Sequence, residues 1–207
     1  GPSVSTARRY PISISPEAGV SLSATAGRWW DVGGGTHAYD QVAGSFAGYL
    51  GVPAWGFANH VLAVRGRGFL RQGELAPPRS IGGVAQGGLL LAPDAASTYP
   101  VRGYTLGDRW GTRGWTANAE WRFPIHLREV PAGLLGFSLV SVSGSLFFDA
   151  GNAWCPAADQ DRLGTGCART DPLASAGAEL ALDLGVFHGR PARVAAGGWG
   201  HSGCPAA

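Results

Sequence analysis

Lysine and methionine are both absent from the 207-residue sequence. All 16 basic residues are arginines, set against 14 acids for a formal net charge of +2. A nucleic-acid binder gathers its basic residues on one face among stacking aromatics. Here Arg102, Arg109, Arg113 and Arg122 are instead interleaved with Asp108 and Glu120, so no nucleic-acid partner is expected. Charged residues make up only 14% of the chain, which suits neither solvated disorder nor a coiled coil. Long apolar runs are missing too. The best, residues 130–140, is broken by Pro131 and two glycines, and falls short of the roughly 18 residues a spanning helix needs. That excludes a membrane helix and leaves a membrane β-barrel open. With no Met, Gly1 is not a translational start, and the chain is expected to be a piece of a longer polypeptide.

Cysteine is scarce: Cys155, Cys167 and Cys204. The first two bracket a polar stretch rich in Asp, Gly and Pro, a spacing that suits a loop-closing disulfide in an oxidising compartment, with free thiols as the other reading. No Cys or His pair at short spacing accompanies them, so no metal site is expected, and the five histidines are scattered. Nucleophile elbow, zinc-protease, dinucleotide and phosphate-loop motifs are all absent, so neither an enzyme nor a cofactor is expected.

Glycine, by contrast, is abundant: 34 of 207 residues, against a usual share of roughly 7%. Because each glycine costs a helix interior roughly 1 kcal/mol relative to alanine, a β protein is expected. Period-two alternation supports this, since neighbouring side chains on a strand point to opposite faces. Over residues 115–123 the odd positions are Trp115, Ala117, Ala119, Trp121 and Phe123, and the even ones Thr116, Asn118, Glu120 and Arg122. Over 178–186, Leu180, Leu182 and Leu184 oppose Glu179 and Asp183. Over 141–150, Val142, Leu146 and Phe148 oppose Ser141, Ser143, Ser145 and Asp149, with Phe147 as the exception on the polar side. Residues 60–68 and 19–26 alternate as well, and 41–52 and 191–200 do so more weakly. About seven strands result. Long connections at 28–40, 72–114 and 152–175 alternate with shorter ones, as in an outer-membrane meander. A soluble antiparallel sandwich also alternates, with its polar positions outside and its apolar ones in the core. Tryptophan and phenylalanine near strand ends, and a polar face of Ser, Thr, Asn and Gly rather than dense charge, favour the barrel.

The long connection ends in Val101-Arg102-Gly103-Tyr104, followed at once by the clearest alternating strand, which carries Gly114 and Glu120. After the next hairpin comes LFFDAGNAW (residues 146–154), with Phe147, Asp149 and Gly151 in an F-x-D-x-G pattern. In this order the elements resemble the loop and strand motifs of the bacterial surface antigen superfamily, the sixteen-stranded outer-membrane β-barrels that include BamA and the TpsB secretion pores. The resemblance implies that residues 1–207 are the C-terminal portion of such a transmembrane barrel in the bacterial outer membrane. About seven strands would be present, and the upstream strands and the last strand missing. It implies a loop folded back into the lumen, with Arg102 latched to Glu120 and Asp149, Gly103 allowing a tight turn and Tyr104 packed on the wall. The implied partners are the lipid bilayer and unfolded outer-membrane or secreted polypeptides, and the implied function is insertion of outer-membrane proteins or polypeptide translocation. Independently, parity already places Glu120 and Asp149 on the polar faces of consecutive strands. Superfamily barrels end in an aromatic residue, whereas this chain ends in HSGCPAA, which includes Cys204. A passive membrane anchor or pore for a periplasmic enzyme or propeller domain is an alternative function, and a soluble sandwich-type binding module is another.

Overall fold

A computed structural model describes residues 1–8, 15–30, 37–53, 60–85, 96–127, 130–131, 137–167, 171–186 and 192–201. Cys204 lies outside them. The chain is mostly antiparallel β. Its strands are β1 (Ser3–Ser5), β2 (Ala18–Trp30), β3 (His37–Val52), β4 (His60–Gln72), β5 (Arg79–Ile81), β6 (Val84–Ala85), β7 (Ala96–Ser97), β8 (Arg109–Gly111), β9 (Arg113–His126), β10 (Val130–Pro131), β11 (Phe137–Trp154), β12 (Leu173–Val186) and β13 (Ala192–His201). A short helix, α1 (Ala157–Leu163), follows β11. The main sheet runs β1-β2-β3-β4-β9-β11-β12-β13, with β10 added beside β11. Seven of these strands are long, each joined to the next by antiparallel pairing, and the excursion between β4 and β9 carries β5 to β8.

Within the described residues, which exclude Pro191, all the segments read as alternating are strands, including the two weaker ones, and several run further than their pattern. Arg28 to Trp30 belong to β2 and His37 to Asp40 to β3, so the 28–40 connection is shorter than expected. Cross-strand contacts extend this hairpin past the alternation: Arg28 Nε donates to Asp40 Oδ1 at 2.8 Å, and the Trp29 and Tyr39 rings stack with centroids 5.0 Å apart. The 152–175 connection likewise gives up its ends to β11 and β12 and contains α1, which period-two reading had no means of finding. In β9, Pro124 cannot donate to the ladder, and the register slips there: Val142 faces His126 while Ser143 faces Pro124.

The two faces of the sheet differ in an unusual sense. Val42, Leu62, Trp121, Leu146, Phe148 and Leu180 are exposed, although all are large and apolar. On the opposite face Thr116, Ser141, Ser143, Ser145, Asp149 and Ser175 are buried. The polar positions of the alternation are therefore inside and the apolar ones outside, the reverse of a soluble sheet packed on a core. Apolar burial concentrates at the end of the sheet where the 73–112 excursion sits. There Ile81, Tyr99 and Val101 pack with Phe69 of β4, Ala153 of β11 and Leu173 of β12.

Candidate functional site: a loop arginine on the polar wall

Register places the site. Across β4, β9, β11 and β12, one row of the polar face reads Arg65, Asn118, Asp149, Ser175, and the next reads Ala63, Glu120, Phe147, Gly177. A third row reads Val61, Arg122, Ser145, Glu179. Alternation sends all of these side chains to the same side, so residues from four strands face one space.

Arg102 enters that space from the loop. Its Nε donates to Asp149 Oδ2 at 2.7 Å and its Nη2 to Asp149 Oδ1 at 2.9 Å, a bidentate fork, while its backbone N–H donates to Oδ2 at 3.1 Å. Nη1 reaches Glu120 Oε1 and Glu179 Oε2, each at 3.4 Å. The guanidinium carbon lies 3.6 Å from the centroid of the Phe147 ring. Phe147, which broke the polar pattern of its strand, is thus the aromatic floor beneath the cation. Burial alone would pull the guanidinium below its ordinary value, but the Asp149 hydrogen bonds and the charges of Asp149, Glu120 and Glu179 outweigh it and hold it above.

The three carboxylates are not equivalent. Asp149 is fully buried, and among the described residues its hydrogen bonds all come from Arg102. Glu120 also accepts from Arg122 Nε at 3.0 Å and pairs with Arg65 at 3.8 Å. Glu179 is the more open, with its side chain 30% exposed. The resemblance to the superfamily motifs implied Glu120 and Asp149 as acceptors, and sequence parity placed both on polar faces of consecutive strands. Parity also placed Glu179 on a polar face, but the β11–β12 register was needed to bring it within reach.

The other loop residues fix the approach. Gly103 has φ +91°, a left-handed conformation that suits glycine. Val101 is fully buried and lies directly over Gly151. A Cβ at Gly151 would sit 3.0 Å from Val101 Cγ2 and 2.9 Å from the Trp115 carbonyl oxygen. Gly151→Ala is therefore expected to push the loop off β11 at a cost of about 1–3 kcal/mol, read as a lower unfolding temperature with faster trypsin cleavage after Arg102. Tyr104 packs beside the apolar cluster, and its hydroxyl donates to the Ala174 carbonyl at 3.0 Å and accepts from the Ala174 N–H at 3.3 Å. The last described β12–β13 pair, Ser175 with His201, lies one residue away. Tyr104→Phe should leave the N–H of Ala174 without this partner, costing about 1–3 kcal/mol, and hydrogen exchange at Ala174 should accelerate while Ala178 stays protected.

Further donors hold the loop elsewhere. Arg67 donates to the Thr98 carbonyl, Arg71 Nη1 to the Pro77 carbonyl at 2.6 Å, and Asn118 to the Pro100 carbonyl at 3.4 Å. Cys155 and Cys167 are joined in a disulfide with Cα atoms 5.4 Å apart. Among the described residues no group of three His, Cys, Asp or Glu side chains is placed to hold a metal ion. The arrangement at Arg102 is one of fastening: Asp149, Glu120 and Glu179 are each paired with arginine. No protein-family model matches the chain, and a search of curated proteins found no match.

Proposed function

We propose that the chain is part of a larger transmembrane β-barrel of the bacterial surface antigen superfamily, and that it acts in the outer membrane without catalysis. Its role is to insert other outer-membrane proteins or to translocate a polypeptide. One observation carries this reading: Arg102, from the loop bearing the V-R-G-Y motif, converges with Asp149 and Glu120 on the polar inner face of a sheet whose outer face is apolar. A barrel wall in lipid needs that polarity, with apolar residues toward the hydrocarbon and polar ones toward the lumen. The seven long strands, 10 to 18 residues each, are long enough for the roughly 9 to 11 that cross a tilted bilayer. The buried serines and exposed leucines speak against the soluble-sandwich alternative, in which the faces would be exchanged.

The test is reconstitution of the full-length protein in lipid vesicles, followed by presentation of an unfolded outer-membrane protein or a secreted polypeptide. Client insertion or passage, reduced in Arg102→Ala, is the expected result. A well-folded barrel that passes small solutes but never handles a polypeptide would point to the passive-anchor alternative instead.

A further inference from the structure

The disulfide is not used by the site above, yet it closes a segment that touches both feet of the loop carrying Arg102. Residues 155–167 leave the end of β11 and return to it. At the neck, Cys155 and Cys167 are bonded through sulfur, and the Cys155 N–H donates to the Cys167 carbonyl at 2.9 Å. Between them α1 buries none of its residues, so no apolar face holds it down. A seven-residue helix is too short to persist by itself. What fixes it is the neck and a few polar contacts. Gln160 donates back to the Cys155 carbonyl at 3.0 Å. Arg162 Nη2 donates to the carbonyl of Ala76, the fully buried residue where the loop leaves β4, at 3.2 Å. Asp159 Oδ2 accepts from Thr112 Oγ1, fully buried where the loop enters β9, at 2.7 Å. Trp110 packs on Gly166, where a Cβ would come 3.0 Å from its ring.

We propose that the Cys155–Cys167 segment is a redox-dependent strap: oxidised, it clamps both feet of the 73–112 loop and keeps Arg102 seated; reduced, it releases them. The reducing agent is a dithiol, which gives two electrons and two protons to the disulfide, breaking the S–S bond to form two thiols while the dithiol becomes a disulfide. Both sulfurs belong to buried residues, so reduction requires local opening of the neck and is slow in the folded protein. The inference does not depend on the membrane role. The contacts it uses are within the chain, so failure of the client assay would leave it standing.

The experiment uses the full-length protein with Cys204→Ser and with any cysteine outside this chain likewise changed to serine, so that no other thiol competes. Within this chain trypsin cuts only after arginine, and cleavage after Arg102 and Arg109 is followed by mass spectrometry. The oxidised protein, the same sample treated with dithiothreitol until both thiols can be alkylated, and Cys155→Ser/Cys167→Ser are compared. About tenfold faster cleavage after Arg102 and Arg109 is expected in the reduced sample, since cleavage tracks the population of the opened loop. Thr112→Val/Arg162→Ala, with the disulfide intact, should reproduce part of that increase. If the double-serine protein does not fold, the sample reduced after folding still decides. Equal cleavage rates before and after complete reduction would overturn the proposal, and so would a uniform rise at every arginine, which would mark global loosening instead.

Discussion

Replacing Arg102 with alanine is expected to cost about 3–5 kcal/mol, because it leaves a fully buried carboxylate with no countercharge in contact. The site's asymmetry sharpens this expectation. Glu120 keeps Arg122 and Arg65 when Arg102 is gone, whereas Asp149 keeps no arginine. Glu120→Gln leaves the Arg102–Asp149 fork in place but takes a carboxylate from Arg122, and should cost about 1.5–3 kcal/mol. Arg102→Lys should not restore the wild type, since an ammonium cannot fork across both oxygens of Asp149. The decisive arm is Arg102→Ala/Asp149→Asn, which removes the stranded charge along with its partner. It should be more stable than Arg102→Ala alone, giving a coupling of about 0.5–3 kcal/mol or more in a double-mutant cycle. The temperature at which electrophoretic mobility changes on heating in detergent reads the loss, and trypsin cleavage after Arg109 reads the loop. Unchanged heat-modifiability together with unchanged activity in Arg102→Ala would remove the basis for calling the loop a latch.

A second large effect is expected at Phe148, which is 52% exposed on the apolar face of β11, in register with Ala119 on β9 and Ala176 on β12. If that face meets hydrocarbon, Phe148→Arg costs about 2–4 kcal/mol near the bilayer midplane, and the protein should accumulate unassembled. If the face meets water, the same change lies within about 0.5 kcal/mol of neutral. Phe148→Leu serves as the control, since it keeps the face apolar in either case. Urea unfolding in vesicles measures the cost. A Phe148→Arg protein that assembles with wild-type stability would sink the membrane assignment while leaving the Arg102 site intact.

Much of this site was legible before the fold was known, for one physical reason. A strand's period is two, so membership of a face can be counted along the chain. Asp149 and Glu120 were assigned to polar faces that way, their pairing with Arg102 was implied by the motif resemblance, and Phe147 declared itself by breaking the count. Quantities that depend on register between strands were not available to counting. Glu179 meets Arg102 because β12 lies in one particular alignment with β11, and Arg65 reaches Glu120 across the β4–β9 pair. The apolar cluster of Ile81, Tyr99 and Val101 was hidden for another reason: it is assembled from an aperiodic excursion whose residues are distant in sequence from Phe69, Ala153 and Leu173. The extra length of β2 and β3 rests on pair contacts such as Trp29 with Tyr39, which no single strand's pattern contains.

The rows beneath Arg102 also bear on how the sheet chooses its alignment. A slip of one residue turns every side chain to the wrong face and is heavily penalised, but a slip of two restores the apolar-out pattern and escapes that penalty. Polarity alone leaves such errors nearly invisible. Arg102 distinguishes them. Sliding β9 by two residues against β11 would set Asn118 or Arg122 where Glu120 now stands, and sliding β12 would substitute Gly177 or Ala181 for Glu179. In either case the guanidinium meets a neutral group or another cation. The loop arginine meets carboxylates from three strands at once only in the observed alignment, so its seating favours that alignment over either two-residue slip.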